Sequence, residues 1–510
     1  MSTTVPTSSC SADEVANALA SALASGSKVA MVGAEDRPNQ GIIEVYYVLA
    51  HPASASLAQF TLSLDRTHPR LDSLARLDFS IGRFEREIAD QFGVSLIDHP
   101  QPARLVKHAH WPDDYHPLRH DANATPGTLV DDSDYPFVEV QGDAIYEIGV
   151  GPVHAGIIEP GHFRFSAVGE SIIAMKARLW FVHRGIERVL EGQSFDNAIT
   201  LAEKISGDTS VGHSLAMVQA IEDAIGIEVD HETQLERQLL LDMERVYNLI
   251  GDIGAIANDV GFSVINAFMG TQREYALREN RRITGHRLLR GALGIGGASL
   301  QAQPDPHFFA NLATQVDEIV HILVGNVMAI DRFKGTGILS EADARSIGCV
   351  GYVAYASGLA FAEVGAPGTD PAALITLPES VTRDSHRLLS TPPTGDVAAR
   401  LGVRITQLQG ALADLADLAV RLNSAHPNSI DPIRPPSQDR PSVGIACLES
   451  WRGRLTHRVV VNHNQIMRAK IVDPSFFNWP GVSISLRGAV VADFPLINKS
   501  FNLSYAGNDL

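Results

Sequence analysis

The sequence predicts an α+β chain: a small N-terminal α/β domain followed by a mainly helical bundle with peripheral strands. Three observations predict it. Apolar residues alternate at Ile43, Val45 and Tyr47 and again at Phe60, Leu62 and Leu64, the period of half-buried strands. Beyond residue 170 long segments near 171–190, 209–226 and 232–260 carry helical periodicity. The 510 residues are 45% hydrophobic and 20% charged, enough apolar material for two to four packed domains.

In chain order, residues 12–26 (ADEVANALASALASG) read as a short amphipathic helix ahead of the alternating strands. Phe84–Gly93 reads as a short helix stopped by glycine, and a Pro- and His-rich extended stretch runs on to about Asp121. A polar linker, Ala122–Ser133, follows. Gly- and Pro-punctuated strands begin at Tyr146, the helical segments follow from Ser171, and a Pro-rich break, Pro427–Pro441, precedes apolar runs at Val443–Leu448 and Arg458–Val461. The divisions are therefore a tail and short helix (1–28), an α/β domain (29–121), a linker (122–140) and the bundle domain (141–510). No internal repeat or low-complexity tract is visible.

Composition excludes several functions. Forty-one Lys and Arg against 59 Asp and Glu leave a net charge of −18, which repels phosphate backbones and argues against nucleic acid. Cys10, Cys349 and Cys447 contain no CxxC and cannot supply the four thiolates of a cluster or a structural zinc site. Met1–Ser11 lacks the basic-then-apolar pattern of a secretory signal, and so few cysteines suit a reducing cytoplasm. The longest uncharged stretch, Ser346–Ala362, is too short to span a bilayer, so membrane contact is expected only through partners.

His99, His108, His110, His116 and His120 crowd one stretch, but without a carboxylate at ligand spacing they read as a surface loop meeting water and carboxylates. Gly294–Gly297 reads as a tight turn, since no P-loop lysine follows. Glu236, Arg237, Asp242, Glu244 and Arg245 have the i,i+3 and i,i+4 spacings of a solvated helix face. More specific is GPVHAGIIEPGHFRF (151–165), whose turn brings Glu159, His162 and Arg164 close together, either as a proton-relay carboxylate beside a cation or as charges pairing across a strand turn. Ser206, Asp208 and Thr209, just before a helix, read as N-capping chemistry.

Several motifs in order carry a family resemblance. Glu85–Val94, His99-Pro100, Trp111 and His116-Pro-Leu-Arg119 resemble the 30 kDa subunit of respiratory complex I. From about Tyr146 onward the chain resembles the complex I 49 kDa subunit and the large subunits of membrane-bound nickel–iron hydrogenases. GPVHAGIIEPGHFRF, Leu249–Ala255, Thr284–Gly291 and Glu449–Gly453, with the fusion of both regions, look most like a formate hydrogenlyase large subunit. The resemblance implies a 30 kDa-like α/β domain fused to a hydrogenase large subunit or 49 kDa-like domain.

Departures from the family carry equal weight. Aligned on His213, the first pair of nickel-ligand cysteines falls on Ser206 and Thr209, and the second on Ser504 and Gly507. Neutral hydroxyls neither match thiolate softness nor ionise near neutral pH. Only three residues follow Gly507, so the resemblance also implies no tail for a maturation protease. In the complex I branch a Tyr and a His hold quinone. Here the Tyr position is Gly207, the His position falls near Pro160–His162, and Tyr355 stands where the family usually has Arg.

The resemblance implies a subunit of a membrane-associated formate-hydrogenlyase-like or complex I-like oxidoreductase, coupling electron transfer to ion translocation without its own nickel–iron centre. The alternative is a non-catalytic structural subunit that keeps the fold to couple an iron–sulfur protein to a membrane arm. Expected partners are an iron–sulfur small subunit and antiporter-like membrane subunits, on the cytoplasmic face of the inner or plasma membrane. The chain itself is expected to bind no nickel or other cofactor; an iron–sulfur cluster belongs to a partner, and quinone or NAD to the whole complex. Glu159, His162, Arg164 and Arg452, with the Ser206–His213 helix start and the Ser504–Gly507 turn, are expected to line a water-filled polar cavity in which Glu159 pairs with Arg164 or Arg452.

Overall fold

A computed structural model describes residues 7–9, 12–52, 56–123, 125–129, 135, 137–156, 158–367, 393–423 and 440–510. Cys10, residues 124 and 130–133 of the polar linker, residue 157 of the 151–165 motif and most of the Pro427–Pro441 break lie outside them.

The alternating segments form an antiparallel meander of β2 (Lys28–Arg37), β3 (Ile42–His51) and β4 (Ser56–Asp65), with β1 (Thr7–Ser9) parallel to β4, in the order β1-β4-β3-β2. Helix α1 (Ala12–Ala24) follows the Ala-rich stretch. Helix α2 (Phe79–Phe92) packs on β2 and ends at Gly93, whose φ of 75° suits glycine. It starts five residues before the expected Phe84 because Asp78 caps it, accepting from Ser80 N at 2.8 Å. Strand β3 is buried along nearly its whole length rather than on alternate residues. A second layer covers the sheet: Arg458 lies 4.0 Å over the Tyr46 ring and donates to Gln59 Oε1 at 3.0 Å.

After β5 (Arg70–Asp72) and β6 (Ser95–Ile97), a three-stranded antiparallel sheet follows: β7 (Tyr146–Val150), β8 (His162–Val168) and β9 (Ser171–Arg178). The helix expected near 171–190 is therefore corrected to β9 and, after an irregular stretch, one short turn, α3 (Ile186–Val189). The physical reason is a bulge. Ala167 pairs with Ile172 and Ser166 with Ala174, so Ile173 is skipped and burial falls on Ile172, Met175 and Arg178, a spacing of three that imitates a helix face.

The helical part consists of α4 (Phe195–Ala202), α5 (Ser210–Ile225), α6 (His231–Asp259), α7 (Ser263–Thr284), α8 (Pro306–Gly325), shorter helices and a long helix at Val397–Asn423. The α5 and α6 boundaries agree with the periodicity to within one residue. The supposed solvated face of α6 is corrected: Glu236, Arg237, Asp242, Glu244 and Arg245 are all buried. Helix α6 is packed by α5, α7 and the Val397–Asn423 helix, so Arg237 and Glu244 meet partners on neighbouring elements, while Asp242 and Arg245 form the i,i+3 pair that their spacing predicts. Arg237 holds Glu222 with two bonds of 2.8 and 2.6 Å and also reaches Gly294 O in the tight hairpin of β10 (Leu293–Gly294) and β11 (Gly297–Ala298), the turn expected there.

The last sheet, β12 (Ser442–Ser450), β13 (Gly453–Asn462) and β14 (Gln465–Val472), is not at the periphery. Strand β13 is buried along nearly its whole length and packs against α5 and β2. Lys470 on β14 reaches across to Glu87 of α2 at 2.5 Å and Glu187 of α3 at 3.1 Å. Among the described residues no helix is long and apolar enough to cross a membrane.

The approach of α5 to β12 depends on Gly444, where a Cβ would lie 2.0 Å from Ala220 O and 2.5 Å from Ala224 N. Gly444→Ala should cost about 1–3 kcal/mol by forcing backbone against backbone. Gly270→Ala, in the exposed interior of α7 with nothing within 4 Å of the added Cβ, should instead stabilise by about 0.5–1 kcal/mol. Thermal melts of the two variants check the pair of signs.

Candidate functional site

Three distant segments meet at the start of α5. The first is the loop Ser206–Thr209. The second is the two-residue connection Trp451-Arg452 between β12 and β13, too short to do anything but project both side chains outward from the hairpin end. The third is the segment from Asn502 into the last helix, Tyr505–Asp509.

Arg452 donates to both carboxylate oxygens of Asp208, at 2.7 and 2.6 Å, and through Nε to Asn502 O at 2.8 Å, while its guanidinium stacks 4.0 Å from the Trp451 ring centre. Ser504 and Ser206 hydroxyls lie 2.8 Å apart, and Ser206 donates onward to Asp208 Oδ1 at 2.8 Å. Thr209 Oγ1 donates to the same carboxylate at 3.0 Å and accepts from Trp451 Nε1 at 3.0 Å. Burial alone would raise the half-buried Asp208 carboxyl, but Arg452 and the two hydroxyl donors, Ser206 and Thr209, hold it well below the usual carboxylate range. Arg452 is correspondingly fixed as a cation: burial disfavours its charge, and Asp208 more than restores it.

With Asp208 committed to Arg452, the expected capping role is corrected. Thr209 occupies the N-cap position without a side-chain cap bond. The first amides of α5 are instead satisfied from the neighbouring helix: Glu244 accepts from Val211 N at 2.6 Å and Gly212 N at 2.9 Å. Glu244 is fully buried, and burial pushes its carboxyl up to about 8 although the two N–H bonds pull it back.

One turn deeper, His213 Nε2 is 3.2 Å from Asp473 Oδ2 and its Nδ1 is 3.1 Å from His457 Nε2, all three buried. Burial raises the Asp473 carboxyl, and the His213 bond and charge together with Arg452 bring it below the ordinary value. Burial pushes His457 far down, so it is neutral. Gly507 packs directly on Asp473: an added Cβ would lie 2.6 Å from its carboxyl carbon. The adjoining space, bordered by Asp473, Gly507 and Lys470, is a cavity of ≈ 40 Å³, room for isolated waters only.

The structure thus gathers Ser206, Thr209, Ser504, Gly507 and Arg452, and separates them from Arg164. The expected pocket is closed by the Ser206–Ser504 contact and the Asp208–Arg452 pair. Glu159 meets neither arginine among the described residues; its Oε2 accepts from Ala506 N at 2.9 Å, fixing the start of the last helix. His162 and Arg164 are two apart on β8 and share the face opposite the buried Phe163 and Phe165. Arg164 lies 3.5 Å from Glu147 and 4.7 Å over the Phe137 ring, and His162 Nδ1 contacts Gly151 O at 3.2 Å. The turn that was expected to converge these charges sends them to two sides of the sheet.

Gly207 leaves its surroundings open, with nothing within 4 Å of an added Cβ. Tyr355 is buried and donates to Glu449 Oε1 at 2.9 Å; burial pushes that carboxyl up to about 7. Cys349 and Cys447 take no part in this cluster, and burial pushes the Cys447 thiol up to about 11. The His-rich stretch is also corrected in part. His99 Nε2 bonds Gly82 O at 3.0 Å and His116 Nδ1 bonds Asp90 O at 3.1 Å, backbone partners that draw both rings inward. Among the described residues no group of three or more His, Cys, Asp or Glu is placed to hold a metal.

Sequence reasoning missed His457 and Asp473, placed Glu244 on a solvated helix face, and gave His213 only as part of the helix start. The Asp473-Pro474 pair carries a helix-start signal, and Asp473 does cap the helix Pro474–Ser485 by accepting from Ser475 N at 2.7 Å. That local role conceals its second one.

Residues 7–127 match the respiratory-chain NADH dehydrogenase 30 Kd subunit family, 259–362 the respiratory-chain NADH dehydrogenase 49 Kd subunit family, and 184–250 the nickel-dependent hydrogenases. The matches make the chain similar to a class in which a complex I 30 kDa-type region is fused to a hydrogenase large subunit or 49 kDa-type region. Within it, the chain is 28% identical over 502 residues to formate hydrogenlyase subunit 5 of Escherichia coli K12, covering 94% of this chain and 84% of that one. It is 29% identical over 435 residues to hydrogenase-4 component G of the same organism, 83% and 73% of the two chains. It is 28% identical over 350 residues to the NADH-quinone oxidoreductase C/D protein of Phocaeicola vulgatus, 64% and 67%. A chain of the membrane-bound sulfane sulfur reductase, an archaeal respiratory membrane complex, shares the fold with a TM-score of 0.60 at 21% identity, over 72% of this chain and 99% of that one.

The Glu244 carboxyl makes a signed prediction. With its folded value near 8 and an unfolded value near the ordinary glutamate range, its contribution to stability is complete below about pH 4.5 and is lost as pH rises through about 8. Glu244→Gln cannot titrate. The stability difference between wild type and variant should therefore shift in favour of the variant across that window, by at most about 1.4 kcal/mol per pH unit. Denaturant unfolding at several pH values measures it, and parallel curves would show that Glu244 is already ionised in the folded state.

Proposed function

We propose that this chain is a subunit of a membrane-associated formate-hydrogenlyase-like or complex I-like oxidoreductase, coupling electron transfer to ion translocation, and that it carries no nickel–iron centre of its own. One observation carries the reading: the four positions that supply thiolates in the resembling hydrogenases hold Ser206, Thr209, Ser504 and Gly507, and these close on one another. Hydroxyls bonded to Asp208 and a glycine pressed on Asp473 do not fit a thiolate-bound metal. Iron–sulfur clusters, quinone or NAD belong to partner chains or to the assembly, and contact with the cytoplasmic face of a membrane runs through antiporter-like subunits.

A second reading, a structural subunit that joins an iron–sulfur protein to the membrane arm, is favoured by the mutual satisfaction of the cluster. Arg452, Asp208, Ser206, Thr209 and Ser504 bond to each other and to Asn502 O, leaving no donor set facing an open substrate space. What the residues do is lock three distant segments and hold a hydrogen-bonded set, Asp473, His213 and His457, out of water.

Metal analysis of the purified membrane assembly should find no nickel tracking this chain, with iron–sulfur and antiporter-like subunits among the co-purifying proteins. Stoichiometric nickel would overturn the first statement. Arg452→Met should destabilise by about 1–3 kcal/mol, less than a fully buried broken pair, because Asp208 is half-buried and keeps two hydroxyl donors. If the cluster takes part in coupling, ion translocation falls in Arg452→Met and in Asp208→Asn while native gels show intact assembly. Full translocation in both leaves the structural reading.

A further inference from the structure

A second site lies where the two regions of the chain meet. Helix α2, strand β9 and the helix Pro474–Ser485 enclose a cavity of ≈ 240 Å³, enough for a polyatomic anion and several waters. Arg83 and Arg86 of α2 and Arg178 at the end of β9 line it, with aromatic walls that include Trp180, Trp479 and Tyr135. These arginines are only 8%, 9% and 3% exposed, yet among the described residues no carboxylate lies within ion-pair distance of any of them.

Their present partners are neutral. Arg83 donates to Phe476 O; Arg86 to Ala103 O at 2.6 Å and Arg104 O at 3.0 Å; Arg178 to the Leu105, Val106 and Lys107 carbonyls. A guanidinium has five N–H donors, so each keeps capacity, and among the described residues Arg178 Nε has no hydrogen-bond partner. Asp90 Oδ2 is taken by the Leu105, Val106 and Lys107 amides, and from beyond ion-pair distance its charge offsets only part of the burial of Arg86 and Arg178. Burial pushes Arg83 down to about 9, with the like charge of Arg86 adding to it, and also lowers Arg86 and Arg178. His99, also on the wall, does not compensate: its Nδ1 accepts from Gln101 N at 2.9 Å while Nε2 faces Gly82 O, the arrangement of a neutral ring. Three desolvated cations around one space cost free energy that an anion would recover, and planar guanidiniums match oxyanion geometry.

We propose that this cavity binds a small oxyanion of the phosphate or carboxylate class, pinning the 30 kDa-type region to the hydrogenase-type region. The test uses the full chain with inorganic phosphate at constant ionic strength set by chloride. Saturable binding by calorimetry, with a melting temperature that rises with phosphate and not with chloride, is expected. Arg86→Met should weaken binding about 10- to 100-fold, the loss of one charge-assisted bond set. Arg178 holds three carbonyls, and Arg178→Met risks misfolding, so a second measurement leaves the chain intact: phosphate should protect Arg83, Arg86 and Arg178 from phenylglyoxal, read by peptide mass spectrometry. Absence of both saturable binding and protection overturns the proposal. So does binding seen only with anionic phospholipid vesicles, which would make the ligand a lipid headgroup. Binding that emerges only when Asp131, Asp132 and Asp134 are all changed to Asn would assign the site to the chain's own carboxylates and overturn it equally.

Discussion

The pair between Asp208 and Arg452 is the constraint on which the centre of the molecule depends. It joins residues 244 positions apart, and the same guanidinium also holds the Asn502 carbonyl, so the loop before α5, the β12–β13 hairpin end and the last segment are fixed by one side chain. A pair of this kind is weak evidence of net stability, because desolvating the arginine consumes much of what the Coulomb attraction returns. Its value is geometric. A bidentate guanidinium fixes the plane of the carboxylate, and the plane fixes where Ser206 and Thr209 can donate.

Committing Asp208 outward leaves the start of α5 without its natural local cap, and the fold resolves this from another helix. Glu244 on α6 reaches the Val211 and Gly212 amides, and it does so where burial favours the protonated carboxyl. The same trade recurs along α6. Arg237 serves Glu222, Arg245 serves Asp242 and the Glu449 carbonyl, and Asp252 receives Arg404 at 3.1 Å. Helix α6 is thus a polar spine inside an otherwise apolar bundle: Arg237, Glu244, Arg245 and Asp252 tie neighbouring segments to it, while Asp242 holds Arg245 in place from within the helix.

What was legible in the sequence follows the range of the forces involved. Strand alternation at 43, 45 and 47 and the glycine stop at Gly93 are local signals, and they located β3 and the end of α2. Segment 171–190 misled because one skipped residue, Ile173, converts a strand's burial into a spacing of three. The α6 charges misled for a different reason. The i,i+4 rule describes a helix in water, and nothing within the helix reports that α5, α7 and the Val397–Asn423 helix surround it. Ser206, Thr209, Ser504 and Gly507 were brought together by family resemblance and not by spacing, since their meeting is a product of the whole topology. Within the cluster Asp473, His213 and Glu244 have partners between 32 and 260 residues away, beyond the reach of any local pattern.

The two regions of the chain are joined by more than a linker, and the kind of contact matters for how the fused chain can move. Arg454 on β13 donates to Val29 O at 2.7 Å, Arg458 to Gln59, and Lys470 sits buried between Glu87 and Glu187. Burial alone would strip the proton from Lys470, and the two carboxylates hold it there; separating the regions would expose a charged triad and also leave β13 with one face bare. Only Glu87 comes from the N-terminal domain, so separating the regions would leave Lys470 with Glu187 alone and Glu87 without its cation. Strand β13, paired with β12 along one edge and β14 along the other, is the element that physically joins the Ser206–Arg452 cluster to the meander, since it begins at that hairpin end and packs on β2.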